Sequence, residues 1–426
     1  MKLSINNIGK LGEACIEING ITVIAGENNT GKSTVGKTLY CLFSAFHNIN
    51  DKITEERKMS IYRAISNPIR RRIRVNTSGL HKICDDICEN RDIYVNDHAL
   101  LRSLIEEIFA PFAKESKGIE EINVDAIYNR VLSYLKLDED SIKALVLQKI
   151  LSSEYGTQIG HVNRKDSLSS VSLDIHGEKS IDVELKGIDG INVINSIDMY
   201  SNIPYIEDPF AVDELNNDMP MLVFRSENHR SKLLEMLVQK RSRSTVSNVI
   251  EEMVVSEKLA AIFNMLNNIC EGDLERPSDK YVYSSVKYDE PLALSNISTG
   301  LKTFLILKTL LMNGAIEEGG TIILDEPEIH LHPEWQLVFA ELIVLIQKEF
   351  GVHILLNTHS PYFLRALQVY SAKYQIADSC KYYLADNIGD TAIIADVSDN
   401  IEKIYAKLSR PLQRLEDMRW QDDKTE

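Results

Sequence analysis

The stretch "ITVIAGENNTGKSTVGKTLY", Ile21 to Tyr40, decides how the rest of this 426-residue chain is read. An apolar run of the kind found in strands buried on both faces leads into a glycine-rich turn. Beyond the turn, Val35, Leu39, Leu42 and Phe43 recur at helical spacing. Gly26, Gly31, Lys32 and Ser33 fit the phosphate-loop spacing G-x-x-x-x-G-K-[ST], here between a strand and a helix, which is the context that gives the pattern meaning. Glycines let backbone N–H groups turn inward round a β-phosphate, and the helix N-terminus adds positive potential. Lys32 would reach the β- and γ-phosphates, Ser33 would ligate Mg²⁺, and Asn29 and Thr34 complete the expected ATP contacts. A pocket of this kind holds ATP alone or is half of a site that a second subunit completes.

Hydrolysis needs a second element, and "GTIILDEPEIHLHPEW", Gly320 to Trp335, supplies it. Ile322 to Leu324, after Thr321, read as a buried strand delivering Asp325 and Glu326 at its carboxyl end, where parallel sheets bind ligands. Asp325 would hold Mg²⁺ through water, and Glu326 would orient or deprotonate the attacking water. Adjacent buried acids cost several kcal/mol unless a metal or a positive partner offsets them, so a purely structural pair is disfavoured (about 2–5 kcal/mol is typical). A further strand, "HILLNTHSPYFL", ends at His359, placed to contact the γ-phosphate or the attacking water and so sense a triphosphate. In "LSNISTGLKTFLIL", Ser298, Thr299 and Gly300 form a small-residue turn at a helix N-terminus. That is a second anion site for which the first pocket has no need, although a helix cap would also explain Ser298.

Composition narrows the setting. Hydrophobic residues make up 44% and charged residues 26%, as in an ordinary soluble protein. No apolar run approaches the roughly 18 residues of a membrane helix, and "MKLSINNIGK" lacks a signal-peptide core, so a cytoplasmic protein without membrane association is expected. Six cysteines lie scattered, without a disulfide framework. His81, Cys84 and Cys88 could share a helix face, but no fourth zinc ligand accompanies them. A net charge of −16 argues against a surface coated in nucleic acid, yet two basic stretches are candidate DNA or RNA contacts. They are Arg70, Arg71, Arg72 and Arg74, and Lys240, Arg241 and Arg243.

The chain divides by texture: 1–45 carries the phosphate loop, 46–155 reads as a helical insertion, and 156–210 is strand-rich. Residues 211–280 read as a helical arm, and 281–426 return to the strand and helix alternation of an α/β protein with a parallel sheet. Taken in order, "NIGKLGEACIEINGITVIAGENNTGKST", "NISTGLK", "LDEPEIHLHP" and "NTHSPYF" resemble the ABC-type AAA ATPases. The branch they resemble holds SMC-like DNA repair heads and the overcoming-lysogenization-defect and Septu-type ATPases of phage defence.

The resemblance covers about the first 40 and last 130 residues. It implies an ABC-type P-loop head with a mixed or parallel sheet and an inserted, mainly helical region. In that family the signature turn of one subunit completes the ATP site of another. Ser298 and Gly300 would then touch the γ-phosphate held at Lys32 of a second chain, with Lys302 near the same interface, and the protein would be at least a dimer. Thr299 and Leu301 depart from the usual two glycines and Gln or Glu, a difference that bears on hydrolysis rate more than on ATP binding. The resemblance further implies a regulatory ATPase that loads on or senses nucleic acid and controls a separate effector, an HNH-type nuclease or a toxin. A DNA-repair clamp or loader and a nuclease with an unread active site are the alternatives. The acids of "ADNIGDTAIIADVSDNIEKI" lack the Glu and Asp-x-Asp arrangement that two metal ions need, so a nuclease within this chain is not expected.

Overall fold

A computed structural model of the chain describes residues 1–70, 77–113, 123–164, 167–187, 190–216, 228–239 and 249–422. Its strands in chain order are β1 (Lys2–Ile8), β2 (Leu11–Glu17), β3 (Ile21–Gly26), β4 (Ser169–Ile175), β5 (Glu178–Lys186), β6 (Gly190–Asn195) and β7 (Tyr205–Ile206). They continue with β8 (Asp273–Glu275), β9 (Val282–Ser284), β10 (Leu292–Ala293), β11 (Thr321–Asp325), β12 (His353–Thr358), β13 (Cys380–Ile388) and β14 (Thr391–Asp396). Eleven of them form one sheet in the order β6-β5-β4-β1-β2-β14-β13-β3-β12-β11-β7, and β10-β9-β8 form a small antiparallel sheet.

The large sheet is mixed, as an α/β fold of this kind requires. From β13 through β3, β12 and β11 to β7 every pairing is parallel, with Ile21 opposite both Ile354 and Cys380. From β6 through β2 the pairings are antiparallel. The side-chain pattern follows this division. All six residues of β3 and all five of β11 are buried, as parallel strands covered on both faces demand, whereas β4 alternates along its length. Helices Thr299–Met312, Pro333–Phe350 and Pro361–Lys373 contribute Phe304, Phe339 and Phe363 to one core cluster with Val23, Leu324 and Leu356. Phe304 meets Phe339 edge-on, with ring centres 5.4 Å apart.

Two compact units emerge, residues 1–47 with 147–426, and residues 48–146. The helical unit has its own core, in which Ile65, Cys84, Leu101, Ile105, Val131 and Leu135 are buried. His81 stacks on Tyr62 at 4.3 Å. The unit is thus narrower than the 46–155 expected from texture. Helix Glu139–Tyr155 passes out of it, with Leu147, Ile150 and Leu151 buried. Helical periodicity shows that a face is apolar without showing which body that face joins. In the stretch 211–280, read from texture as a helical arm, Leu233, Leu234, Ile262 and Leu266 belong to the core of the larger unit.

Candidate functional site

The phosphate loop follows β3 because β13 and the loop leave no room for side chains there. A Cβ at Gly26 would overlap the Ala385 carbonyl. Gly31 has φ +80° and would press a Cβ to 2.6 Å from Leu11. Asn29 also adopts a left-handed backbone, at φ +62°, and its carbonyl accepts from the Lys10 amine at 2.9 Å. Gly31 then begins helix Lys32–Phe46, with Ser33 and Thr34 half-buried in the first turn. Lys32 is 4% exposed and donates to the carbonyls of Gly26 (3.1 Å) and Glu27 (2.9 Å).

Strand β11 brings two carboxylates to this loop in different ways. Asp325, 3% exposed, accepts from the Asn357 amide at 2.9 Å on one oxygen and from the Tyr205 hydroxyl at 2.8 Å on the other. Both donors are neutral, and among the described residues no cation pairs with this carboxylate. A buried anion so placed suits a divalent cation, which when bound would offset phosphate charge beside Ser33 and Asp325. Glu326 instead faces charged partners: Lys32 at 3.4 Å and His359 Nδ1 at 3.4 Å. The His359 hydrogen bond, helped by Lys32, holds the Glu326 carboxyl below its ordinary pKa despite partial burial. Glu326 in turn raises the His359 imidazole. The carboxylate is therefore kept ionised, the form that can take a proton from water attacking a phosphoryl group, while the imidazole can donate.

The structure thus brings Lys32, Ser33, Asp325, Glu326 and His359 to the carboxyl ends of β3, β11 and β12. It also supplies residues that sequence reasoning missed. Asn357 stands directly opposite Asp325 in the β11–β12 register, so pairing the two strands would have exposed it. Glu328, 1% exposed, accepts the Thr358 hydroxyl and the His359 backbone N–H, and burial pushes its carboxyl pKa up. A third acid three residues after Asp325 was the available signal. Tyr205 had none: it lies on a two-residue strand 120 residues from its partner.

Among the described residues no hydrogen bond or ion pair joins the turn at Ser298 to this cluster. Ser298 is exposed and caps helix Thr299–Met312 by accepting from the Leu301 N–H at 3.3 Å. Thr299 is half-buried, and its carbonyl accepts the Thr303 hydroxyl. Gly300 is buried, where a Cβ would lie 3.0 Å from the Trp335 ring. Lys302 corrects the reading that placed it among the nucleotide contacts. It is 2% exposed, its amine pairs with Asp213 at 2.6 Å, and it lies 4.9 Å from the centre of the Phe210 ring. A lysine in the first turn of a helix can point back into the protein, and spacing alone does not distinguish the two directions. Arg71, Arg72, Arg74, Lys240, Arg241 and Arg243 lie outside the described residues, as does the side chain of Arg70.

A family profile described as an AAA ATPase domain matches residues 1–364. The chain belongs to the AAA ATPase domain family. This AAA ATPase is also similar to the Retron Vc95 probable ATPase of Vibrio cholerae serotype O1 biovar El Tor, at 21% identity over 369 residues. That match covers 80% of the ATPase and 66% of the relative, just under two thirds of its length. Among solved structures, the ATPase resembles an SMC head bound to the C-winged helix domain of ScpA, with a TM-score of 0.45 and 11% identity, over 94% of this chain and 98% of that one. An SMC head domain from Thermotoga maritima gives a TM-score of 0.38 and 12% identity, over 93% and 98%.

Proposed function

We propose that the chain is an ABC-type regulatory ATPase that works as at least a dimer, each chain's signature turn closing the other's ATP site. Lys32, Asn29 and Thr34 bind ATP, Ser33 and Asp325 hold Mg²⁺, Glu326 is the general base and His359 senses the γ-phosphate. The observation that carries this reading is the turn at Ser298. It is an exposed helix N-terminus anchored from behind by Gly300 and Lys302, and among the described residues no hydrogen bond or ion pair ties it to the Lys32 cluster. A helix N-terminus whose capping residue, Ser298, is exposed suits an anion from another molecule.

The setting we infer is cytoplasmic antiphage defence of the Septu type, in which ATP controls a separate HNH-type nuclease or toxin. Similarity to a retron ATPase and the resemblance of the motifs to phage-defence ATPases support it. Among the described residues no helix is long and apolar enough to cross a membrane. The basic stretches at 70–74 and 240–243 are the proposed contacts for DNA or RNA.

Mass in solution tests the shared site. ATP with Mg²⁺ should drive or tighten assembly, more so in Glu326→Gln and not in Ser298→Arg. Glu326→Gln should retain ATP while hydrolysis drops about 10²- to 10⁴-fold, the usual contribution of a general base. A monomer that hydrolyses ATP at full rate and never changes mass would sink the shared-site reading.

A further inference from the structure

Tyr205 has no role in a phosphate-loop reading, yet it is 1% exposed and directed at the carboxylate most suited to a metal. Its strand, β7, pairs in parallel with β11, with Ile323 opposite Tyr205, two residues before Asp325. The hydroxyl and the Asn357 amide together occupy both oxygens of Asp325, fixing the carboxylate plane while leaving its charge uncompensated.

The tyrosine is itself held in place. Its ring stacks on His229 with centres 4.4 Å apart and lies 6.2 Å from Tyr40. His229 is bridged by Glu154 at 2.8 Å and Glu207 at 2.9 Å, and Glu207 pairs with Lys37 of the phosphate-loop helix at 3.6 Å. Gly36 lies on that same helix. A Cβ there would come to 3.1 Å from the Tyr205 hydroxyl and 3.1 Å from Ile323 Cγ2. Glycine within a helix weakens it relative to alanine, and at Gly36 it provides room for the hydroxyl to reach Asp325.

We propose that Tyr205 is a positioning residue for Mg²⁺-dependent ATP turnover, orienting Asp325 through its hydroxyl, with the Glu154–His229–Glu207 bridge fixing its ring. A neutral donor suits this role because it orients a ligand carboxylate without competing with the cation for its charge. The inference rests on the assignment of Asp325 to Mg²⁺ made above.

Tyr205→Phe in the full chain removes one oxygen and keeps the ring. Binding of a fluorescent ATP analogue, titrated with Mg²⁺, is the readout, with turnover measured alongside. The Mg²⁺ concentration for half-maximal binding should rise about tenfold, the low end for outer partners of a metal ligand. Binding without Mg²⁺ should stay at the wild-type value, and kcat should fall more than KM changes. A wild-type Mg²⁺ midpoint in Tyr205→Phe, with or without a lowered melting temperature, overturns the proposal and leaves Tyr205 a packing residue. If the phenylalanine variant does not fold, Gly36→Ala carries the same test. It keeps every polar group but brings a methyl to about 3.1 Å from the hydroxyl, and an unchanged midpoint there overturns the part given to the hydroxyl's placement. Should wild-type protein itself show no Mg²⁺ dependence, the assignment of Asp325 has failed and this inference falls with it.

Discussion

Glu326 adopts φ +50°, a left-handed backbone that costs a residue with a Cβ about 1–2 kcal/mol. Its N–H donates to the Asn357 carbonyl at 3.0 Å, so the strand next door helps to hold the strained turn and swings the side chain toward Lys32 and His359. Charge at single residues also sets how the protein responds to pH. Burial opposes a proton on His229, but hydrogen bonds and attraction from Glu154 and Glu207 outweigh it and raise its pKa to about 9. The His229 hydrogen bond, helped by Lys37, lowers Glu207 to about 2 against the effect of its burial. A raised histidine stabilises the fold fully below its unfolded pKa, near 6.5, and that stability is lost as pH climbs through the folded pKa. The unfolding free energy from denaturant titrations should therefore decline between about pH 6.5 and 9, by about 3 kcal/mol in all. In His229→Gln the His229 share of that decline should be lost, leaving what the raised His359 contributes.

Elements transmit what residues begin. The helix at Thr299–Met312 is fastened by Lys302 to the 3₁₀ turn Pro209–Asn216, which follows β7 in the chain. Lys302→Met leaves Asp213 short of its cation and should cost about 2 kcal/mol by chemical denaturation, discounted from a fully buried pair because Asp213 is partly exposed. Adding Asp213→Asn should recover most of that loss, so the double-mutant cycle should show a coupling of about 1–2 kcal/mol.

What the sequence made readable at this scale has a physical pattern. The run from Ile21 to Gly26 announces a doubly covered strand because burial on both faces requires an apolar residue at every position. Lys32, Asp325, Glu326 and His359 were readable because each stands next to a strand end within a short motif. Tyr205, by contrast, acts across 120 residues from a strand of two, too short to impose any alternation, and the burial of Lys302 depends on Asp213 in a turn with no pattern of its own.

At the scale of the whole molecule, the α/β class followed from strand and helix alternation at both ends of the chain, and a mixed sheet was an expectation of the family resemblance. The extent of each compact unit did not, because that depends on which body an apolar face meets. The helical unit, residues 48–146, carries an apolar core of its own, so expressed alone it should show helical circular dichroism and a cooperative thermal transition. A gradual, featureless melt would show that it depends on the rest of the chain.

Strand β3 lies between β12 and β13, with Ile21 paired to Ile354 and Cys380. A ribosome adding about 5–20 residues per second takes about 17–67 s to travel from the first of these residues to its partner in β12. For most of that interval the nucleotide-binding segment is apolar and without the neighbouring strands β12 and β13 to cover it. The nascent ATPase is therefore a natural client for a chaperone before it can be a binder of ATP.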